Sequence, residues 1–267
     1  MSDSLGTYGI WRRDNEWAAD LDSAAGFEEL GFTALWTGGP PADLAVSRGL
    51  LERTRTAAVA TSIVNVWTAG AAEVSRSFHD LDTSRFLLGI GVGSPKYTAD
   101  YTRPFAKLGS YLDELDVPAD RVLVGALGPK ALELAGSRTA GAHPFLTPVA
   151  HTAAARPLLP GKLLAPHTAV VVDDDPQSAR AVAREFVGFF LGQASATNNL
   201  QRHGFTTDDF ADGGSDRLVD AVVAWGTPDE VAVKVRAHLE AGADHVAIQS
   251  LNGHHAELAT ALQLRSR

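Results

Sequence analysis

Cysteine is absent from this chain of 267 residues, and with it go disulfides, thiolate nucleophiles and cysteine metal sites; the absence fits a reducing compartment. Positive charge is scarce as well. Lys and Arg number 23 against 32 Asp and Glu, a net charge of -9, which leaves no basic excess to neutralise a nucleic-acid backbone. No apolar run approaches the roughly 18 residues of a membrane-spanning helix. The opening MSDSLGTYGIW lacks the basic and apolar regions of a signal peptide. Two catalytic motifs are missing too: HHAEL from His254 is not H-E-x-x-H, and no G-x-S-x-G occurs, so neither a metal site nor a serine hydrolase is expected. These absences leave a cytoplasmic enzyme or small-molecule binding protein, with no nucleic-acid or membrane partner.

What is present is a repeated α/β grammar. Eight strand-like runs stand out: Leu5–Trp11, Phe32–Gly39, Thr56–Trp67, Arg85–Gly93, Arg121–Leu127, Gly141–Leu146, Ala165–Val172 and Ala243–Ser250. Most are apolar on both faces, as buried parallel strands are. Helical patterns alternate with them, for example the stripe Ala71, Val74, Phe78 and Leu81. In the unit from Gly226 to Gln249, Thr227 and Glu230 form a capping box, Pro228 suits the first turn, and Gly242 ends the helix. Asp175 is placed to cap a further helix that starts at Pro176. No linker interrupts the series, so the expectation is one domain over residues 1–267, a (β/α)8 TIM-type barrel. The stretch 173–243 exceeds one crossover helix, and is expected as a helical insertion between strands 7 and 8: helix from Pro176 to Asn199, loop from Gln201 to Ser215, and helix from Asp216 to Trp225.

Two glycine-rich turns then fall at the carboxyl ends of strands, where such barrels build their active sites. GIGVGSPK, Gly89 to Lys96, follows the fourth strand; it is neither a dinucleotide fingerprint nor a P-loop. Its glycines either let a flat ring approach the backbone or make room inside the barrel. GALGPKAL, Gly125 to Leu132, leads from the fifth strand into a helix whose N-terminus suits an anion, with Lys130 close by.

LWTGG, TSIVNVW, RFLLGIGVGSP, LGPKALELAGSRTAGAHPFLTP and GGSDRLVDAVVAWG, in this order from about Leu5 to Gln249, resemble the luciferase-like flavin and deazaflavin oxidoreductases. The likeness is greatest to actinobacterial enzymes that use coenzyme F420. It implies a deazaflavin lying across the strand ends, transferring hydride to or from a small organic substrate in a homodimeric enzyme. It also implies a bulge in the third strand with a non-prolyl cis peptide at Ser62 and Ile63, and Asn65 turned toward the ring or the substrate. Gly38 and the loop Gly91, Val92, Gly93 and Ser94 would line the cofactor, and Ala126, Leu127, Gly128 and Pro129 would hold its phosphate tail. Sugar-phosphate dehydrogenases of this family carry an acid and a histidine after the second strand and a glutamate after the fourth; here Gly38, Gly39 and Ser94 stand there, so a sugar phosphate is not implied. FMN is the alternative cofactor, in a monooxygenase, and a non-catalytic deazaflavin-binding protein is a third reading.

His143, before a proline at the end of the sixth strand, is a candidate proton donor or substrate ligand, or a histidine satisfied in the barrel wall. Catalysis is therefore expected of His143 and Asn65, and Trp36, Trp67 and His143 are expected to line the substrate pocket, the two indoles as aromatic walls. Tyr97, Tyr101 and Arg103 are placed to meet a cofactor tail, and Arg202 and His203 lie in the insertion as part of a lid or a solvated loop.

Overall fold

A computed structural model describes residues 5–95, 98 and 101–265. Tyr97 lies outside the described residues. The chain builds a curled sheet of eleven parallel-paired strands surrounded by helices, a TIM-barrel-like arrangement. In chain order the elements are β1 (Tyr8–Arg13), α1 (Asp14–Ala19), α2 (Ser23–Glu29), β2 (Ala34–Gly38), α3 (Ala45–Arg53), β3 (Ala58–Ser62), β4 (Val64–Asn65), α4 (Ala71–His79), β5 (Phe86–Gly91) and α5 (Pro104–Glu114). Next come β6 (Val122–Val124), α6 (Pro129–Arg138), β7 (Gly141–Ala142), α7 (Val149–Ala155), β8 (Leu163–Leu164), β9 (His167–Val172) and α8 (Pro176–Leu191). The chain ends with α9 (Ala194–Arg202), α10 (Asp216–Val222), β10 (Val223–Gly226), α11 (Pro228–Glu240), β11 (Val246–Ser250) and α12 (His255–Ala261).

Side chains sort by the strand period of two. Trp11, Ala34, Trp36, Ala58, Ala60, Leu87, Leu123, Leu163, Ala165 and Ala247 pack together on the inner face. Ile10, Leu35, Val59, Leu88, Ile90, Val122, Val124, Val246 and Ile248 pack outward against the helices. Burial on both faces explains the continuous apolar runs. The inner face mixes two large indoles with five alanines, so bulk from β1 and β2 fills the space the other strands leave.

The strand order is β10-β9-β11-β1-β2-β3-β5-β6-β7-β8, with β4 against β5. Only Ala165 and Pro166 separate β8 from β9. Through that stretch Ala165 N donates to Ala142 O and His167 N to Pro144 O, while Ala247 N donates to Pro166 O. One continuous segment thus pairs with the β7 side and the β11 side in turn.

Between β3 and β5 the ladder slips. Val59 faces Phe86 and Ala60 faces Leu87, but beyond the slip Val64 faces Ile90 and Asn65 faces Gly91, so the β3–β4 side carries one extra residue. Thr61 bridges the gap with its hydroxyl, which accepts from Gly89 N at 2.7 Å and donates to Gly89 O at 2.9 Å. The Ser62–Ile63 peptide is cis. The bulge is where the resemblance placed it.

Several expectations need correction. Val223–Trp225 is strand, not helix: the chain leaves α10 at Val223 and pairs Val223, Ala224 and Trp225 with Ala169, Val170 and Val171 of β9. Tertiary pairing overrides a pattern that also reads as helix. The helix expected from Pro176 to Asn199 is two, interrupted at Gly192 and Gln193, and the loop from Gln201 holds the end of α9 and a 3-10 segment over Thr207–Gly213. Strand structure at Gly141–Leu146 stops at Ala142, and β8 had no counterpart among the expected runs. The capping box at Thr227 and Glu230 and the cap at Asp175 form as expected.

A Cβ at Gly89 would lie 1.9 Å from the Thr61 carbonyl oxygen, which is backbone and cannot swing away. Gly89→Ala is expected to lower unfolding stability by about 1–3 kcal/mol or more. Gly26→Ala, inside α2 with nothing within 4 Å, is expected to raise it by about 0.5–1 kcal/mol. Urea unfolding of both variants checks the contrast.

Candidate active site

The carboxyl ends of β1 to β7 converge on one mouth, and the bulge shapes its floor. Alternate glycines of β5 and its loop face alternate residues of the slipped segment: Gly91 meets Ile63, with a hypothetical Cβ at 3.0 Å, and Gly93 meets the Asn65 amide at 2.8 Å. From the next strand end, Gly125 meets Ile63 on another side, again at 3.0 Å. Ile63 is therefore held between two bare backbones. Gly93 also has φ +55, a left-handed value that favours glycine.

Ser62 and His143, 81 positions apart, are brought together here. His143 Nδ1 lies 2.6 Å from the Ala165 carbonyl and Nε2 lies 2.7 Å from Ser62 Oγ. A carbonyl only accepts, so Nδ1 carries the proton, and Nε2 accepts from the Ser62 hydroxyl. Burial pushes the His143 pKa down to about 4, with nearby His245 adding to the effect against the Ala165 hydrogen bond. The ring stacks on Trp36 at 4.4 Å. Trp36 Nε1 donates to His245 Nε2 at 3.0 Å, and His245 Nδ1 donates to Gly6 O. Trp36 is fully buried in this stack, inside the barrel rather than on its rim.

The other expected residues fall as follows. Asn65 Oδ1 accepts from Trp67 N at 3.0 Å, so its side chain fastens a local turn. Trp67 is half-buried beside Tyr101, whose hydroxyl reaches Gly93 O. Arg103 stands at the start of α5 with φ +48. Val92 packs on the main core, and Ser94 is buried. Gly38 is covered by the Trp11 ring, which approaches its Cβ position to 2.1 Å. Ala126 is buried, the Leu127 carbonyl accepts from His151 Nε2 at 2.9 Å, Gly128 caps α6, and Pro129 opens it.

The fold places Arg202 and His203, expected in a lid or a solvated loop, and brings in residues that the sequence alone did not single out. Arg202, at the end of α9, brings its guanidinium to 3.8 Å from the Cβ position of Gly128, over the N-terminus of α6. His203 lies next to it, its ring 5.4 Å from that of His151. Phe145, Phe186 and Phe190 form an aromatic wall that also includes His167, stacked on Phe145 at 3.8 Å. Among the described residues Trp11 Nε1 and His167 Nδ1, both buried, have no hydrogen-bond partner. Asp14, the first residue after β1, is the remaining surprise: burial, and secondarily the charge of Asp43, push its pKa up to about 6. In RRDNEW it reads as one more solvated charge. Its place directly after a strand was the available signal.

Burial holds His143, His151, His238 and His245 near 4 and His167 near 3, below an unfolded value of about 6.5. The unfolded chain therefore binds protons first as pH falls, so the stability held above about pH 6.5 is lost progressively toward about pH 4. Urea midpoints are expected to hold from pH 7 to 8 and to fall steadily from about 6.5 to 4.5. A flat profile would contradict the neutral assignment.

The chain superimposes on an F420-dependent secondary alcohol dehydrogenase in complex with an F420-acetone adduct at a TM-score of 0.76 and 13% identity, covering 97% of this chain and 98% of that one. It superimposes on the coenzyme F420 dependent tetrahydromethanopterin reductase from Methanopyrus kandleri at 0.74 and 18%, covering 98% of each. The oxygenating constituent of 3,6-diketocamphane monooxygenase from Pseudomonas putida, in complex with FMN, matches at 0.68 and 13%, covering 98% and 97%. At these identities the likeness is one of fold. No curated protein matches the chain in sequence. Among the described residues no helix is long and apolar enough to cross a membrane. The luciferase-like monooxygenase family model matches residues 94–245, more than half of the sequence, and the chain belongs to that family.

Proposed function

We propose that this protein is a coenzyme F420-dependent oxidoreductase that passes hydride between the deazaflavin and a small organic substrate. The carrying observation is the bare floor of the mouth: Gly91 and Gly125 leave Ile63 flanked by backbone, next to the Ser62–His143 pair. A flat ring system fits a wall on which the Ile63 side chain is seated against backbone on two sides. The second element is the corner where Arg202 lies over the N-terminus of α6, at Gly128 and Pro129, with backbone N–H groups and a guanidinium suited to a phosphate. Counted with Ala58–Asn65 and Leu163–Val172 as one strand each, the sheet is read as a closed eight-stranded barrel, and α8 to β10 as an insertion in its seventh connection.

Bound there, the coenzyme supplies a carbon that gives or takes hydride. The chain's own residues do the rest. Ser62 presents its oxygen to the mouth while its proton is held by His143 Nε2, and the Ala165 carbonyl fixes the tautomer. Phe145, Phe186 and Phe190 exclude water and offer an apolar face to the substrate. Asn65 keeps the turn after the bulge in place. The two solved structures with the higher TM-scores quoted above are F420 enzymes, which supports deazaflavin over FMN.

Titration with F420 and, separately, FMN tests the proposal, and F420 is expected to bind more tightly. Gly128→Leu has an ordinary backbone angle, φ -89, and meets nothing closer than the flexible Arg202 side chain, so it should fold normally. Its F420 affinity should drop by about ten-fold or more. Unchanged affinity would remove the phosphate corner from the site; tight F420 binding with no turnover of any acceptor would favour a coenzyme-binding protein instead.

A further inference from the structure

The Ser62–His143 pair is short of a proton. Nδ1–H of His143 is committed to the Ala165 carbonyl, and Nε2 is occupied by the Ser62 hydroxyl, so the pair has none to release near neutral pH. Hydride delivered to a carbonyl carbon leaves an oxygen that needs one. We infer that Asp14, at the carboxyl end of β1, protonates that oxygen, and that the substrate class of this site is a carbonyl compound and its alcohol. The inference rests on the cofactor reading above.

Asp14 opens α1 where the chain leaves β1 at the mouth. Trp17, three residues on and therefore on the same side of the helix, donates from Nε1 to Trp36 O at 2.9 Å, pinning that side against the end of β2. Asp14 is half-buried, and its Oδ1 is shut off from solvent with no hydrogen-bond partner among the described residues. An ionised carboxylate is costly in such a place. The charged groups around it do not relieve that cost. Asp43, ahead of α3, adds like charge. Arg12 is turned away to Ser23 and Asp20, Arg13 lies over the Phe189 ring, and Glu16 accepts from the backbone of Arg13. Burial first, and Asp43 second, therefore push Asp14 up to about 6. Across the strand ends Arg13 is in register with Gly38 and Gly38 with Ser62, which puts Asp14 two strands from the Ser62–His143 pair at the same end of the sheet.

In the reduction, hydride from the coenzyme forms the new C–H bond and the C=O π pair moves to oxygen. The Asp14 O–H bond breaks as that oxygen takes the proton, leaving alcohol and carboxylate, and a solvent proton restores the acid. In the oxidation the Asp14 carboxylate takes the alcohol proton as hydride leaves. Each direction balances with the coenzyme as the two-electron partner.

Asp14→Asn, Asp43→Asn and the intact protein test this. In the ligand-free protein the Asp14 carboxyl, followed by 13C NMR, should titrate near 6; a midpoint at the ordinary value of about 4 overturns the proposal. A raised native pKa costs stability above it, so D14N should melt higher than the intact protein at pH 8, with the gap closing toward about pH 4. With reduced F420, and acetone, acetophenone and benzaldehyde as probes, D14N should lose about 100-fold or more in kcat. Its F420 Kd should stay within about two-fold. D43N should keep activity and move the alkaline limb of kcat to lower pH, because removing a like charge eases ionisation of Asp14. A D14N kcat within about three-fold of the intact protein, or an unmoved limb in D43N, overturns the role of Asp14. An intact protein that binds F420 but reduces none of the probes overturns the carbonyl class. Absence of F420 binding in the intact protein overturns the cofactor reading, and this step with it.

Discussion

The structure turns on one substitution of side chain for backbone: the Thr61 hydroxyl takes both hydrogen-bonding positions of Gly89, and the β3–β5 ladder slips by one residue beyond it. Everything at the mouth is set by that slip. Ile63 lands between Gly91 and Gly125, and Asn65 lands against Gly93. Ser62 reaches across the barrel to a histidine 81 positions away. The alternation of glycines in β5 is the complement of this bulge, residue for residue. The glycines make room, because Ile63 and Asn65 take the space they leave; the wall for a flat ring is what we propose that arrangement serves.

Beneath the mouth lies a polar layer whose charge state is fixed by burial. His143, His245 and His167 are each held neutral by loss of water, and hydrogen bonds to carbonyl or amide oxygen fix which nitrogen carries the proton. A neutral imidazole is an acceptor at its free nitrogen, which is what orients Ser62 and the Trp36 indole. The same burial raises Asp14, where the charged form is the anion and desolvation acts in the opposite direction. Base-like and acid-like groups at one mouth thus share a single physical cause.

The segment after β9 adds to the proposed site from outside. Phe186 and Phe190 of α8 close the apolar side, and Arg202 of α9 adds a positive group over the N-terminus of α6, a helix end that already favours anions. β10 anchors this segment by pairing with β9, and α10 packs beside it on the same cluster of apolar side chains. The acidic chain as a whole, at -9, gathers cationic and imidazole groups at this corner.

The sequence by itself determined the alternation of doubly buried strands and capped helices, the glycine-rich segments from Gly89 and Gly125, the capping box at Thr227 and Glu230, the cap at Asp175, and the family, because those depend on local pattern and on short segments in order. The expected bulge at Ser62 and Ile63 came from the resemblance, and the ladder bears it out. Val223–Gly226 shows the limit of pattern: a short apolar run after a helix became a strand only because the edge of β9 was free to pair. Asp14, the Phe145 wall and the seat of Arg202 over α6 were likewise hidden. Their character comes from distance in space: a carboxyl among arginines in sequence is a desolvated acid once those arginines turn to other partners, and a surface arginine joins a helix end 74 positions earlier once α9 folds back over it. Only the tertiary structure decides which charges lose their water and which groups then face each other, and the chemistry of this mouth follows from that.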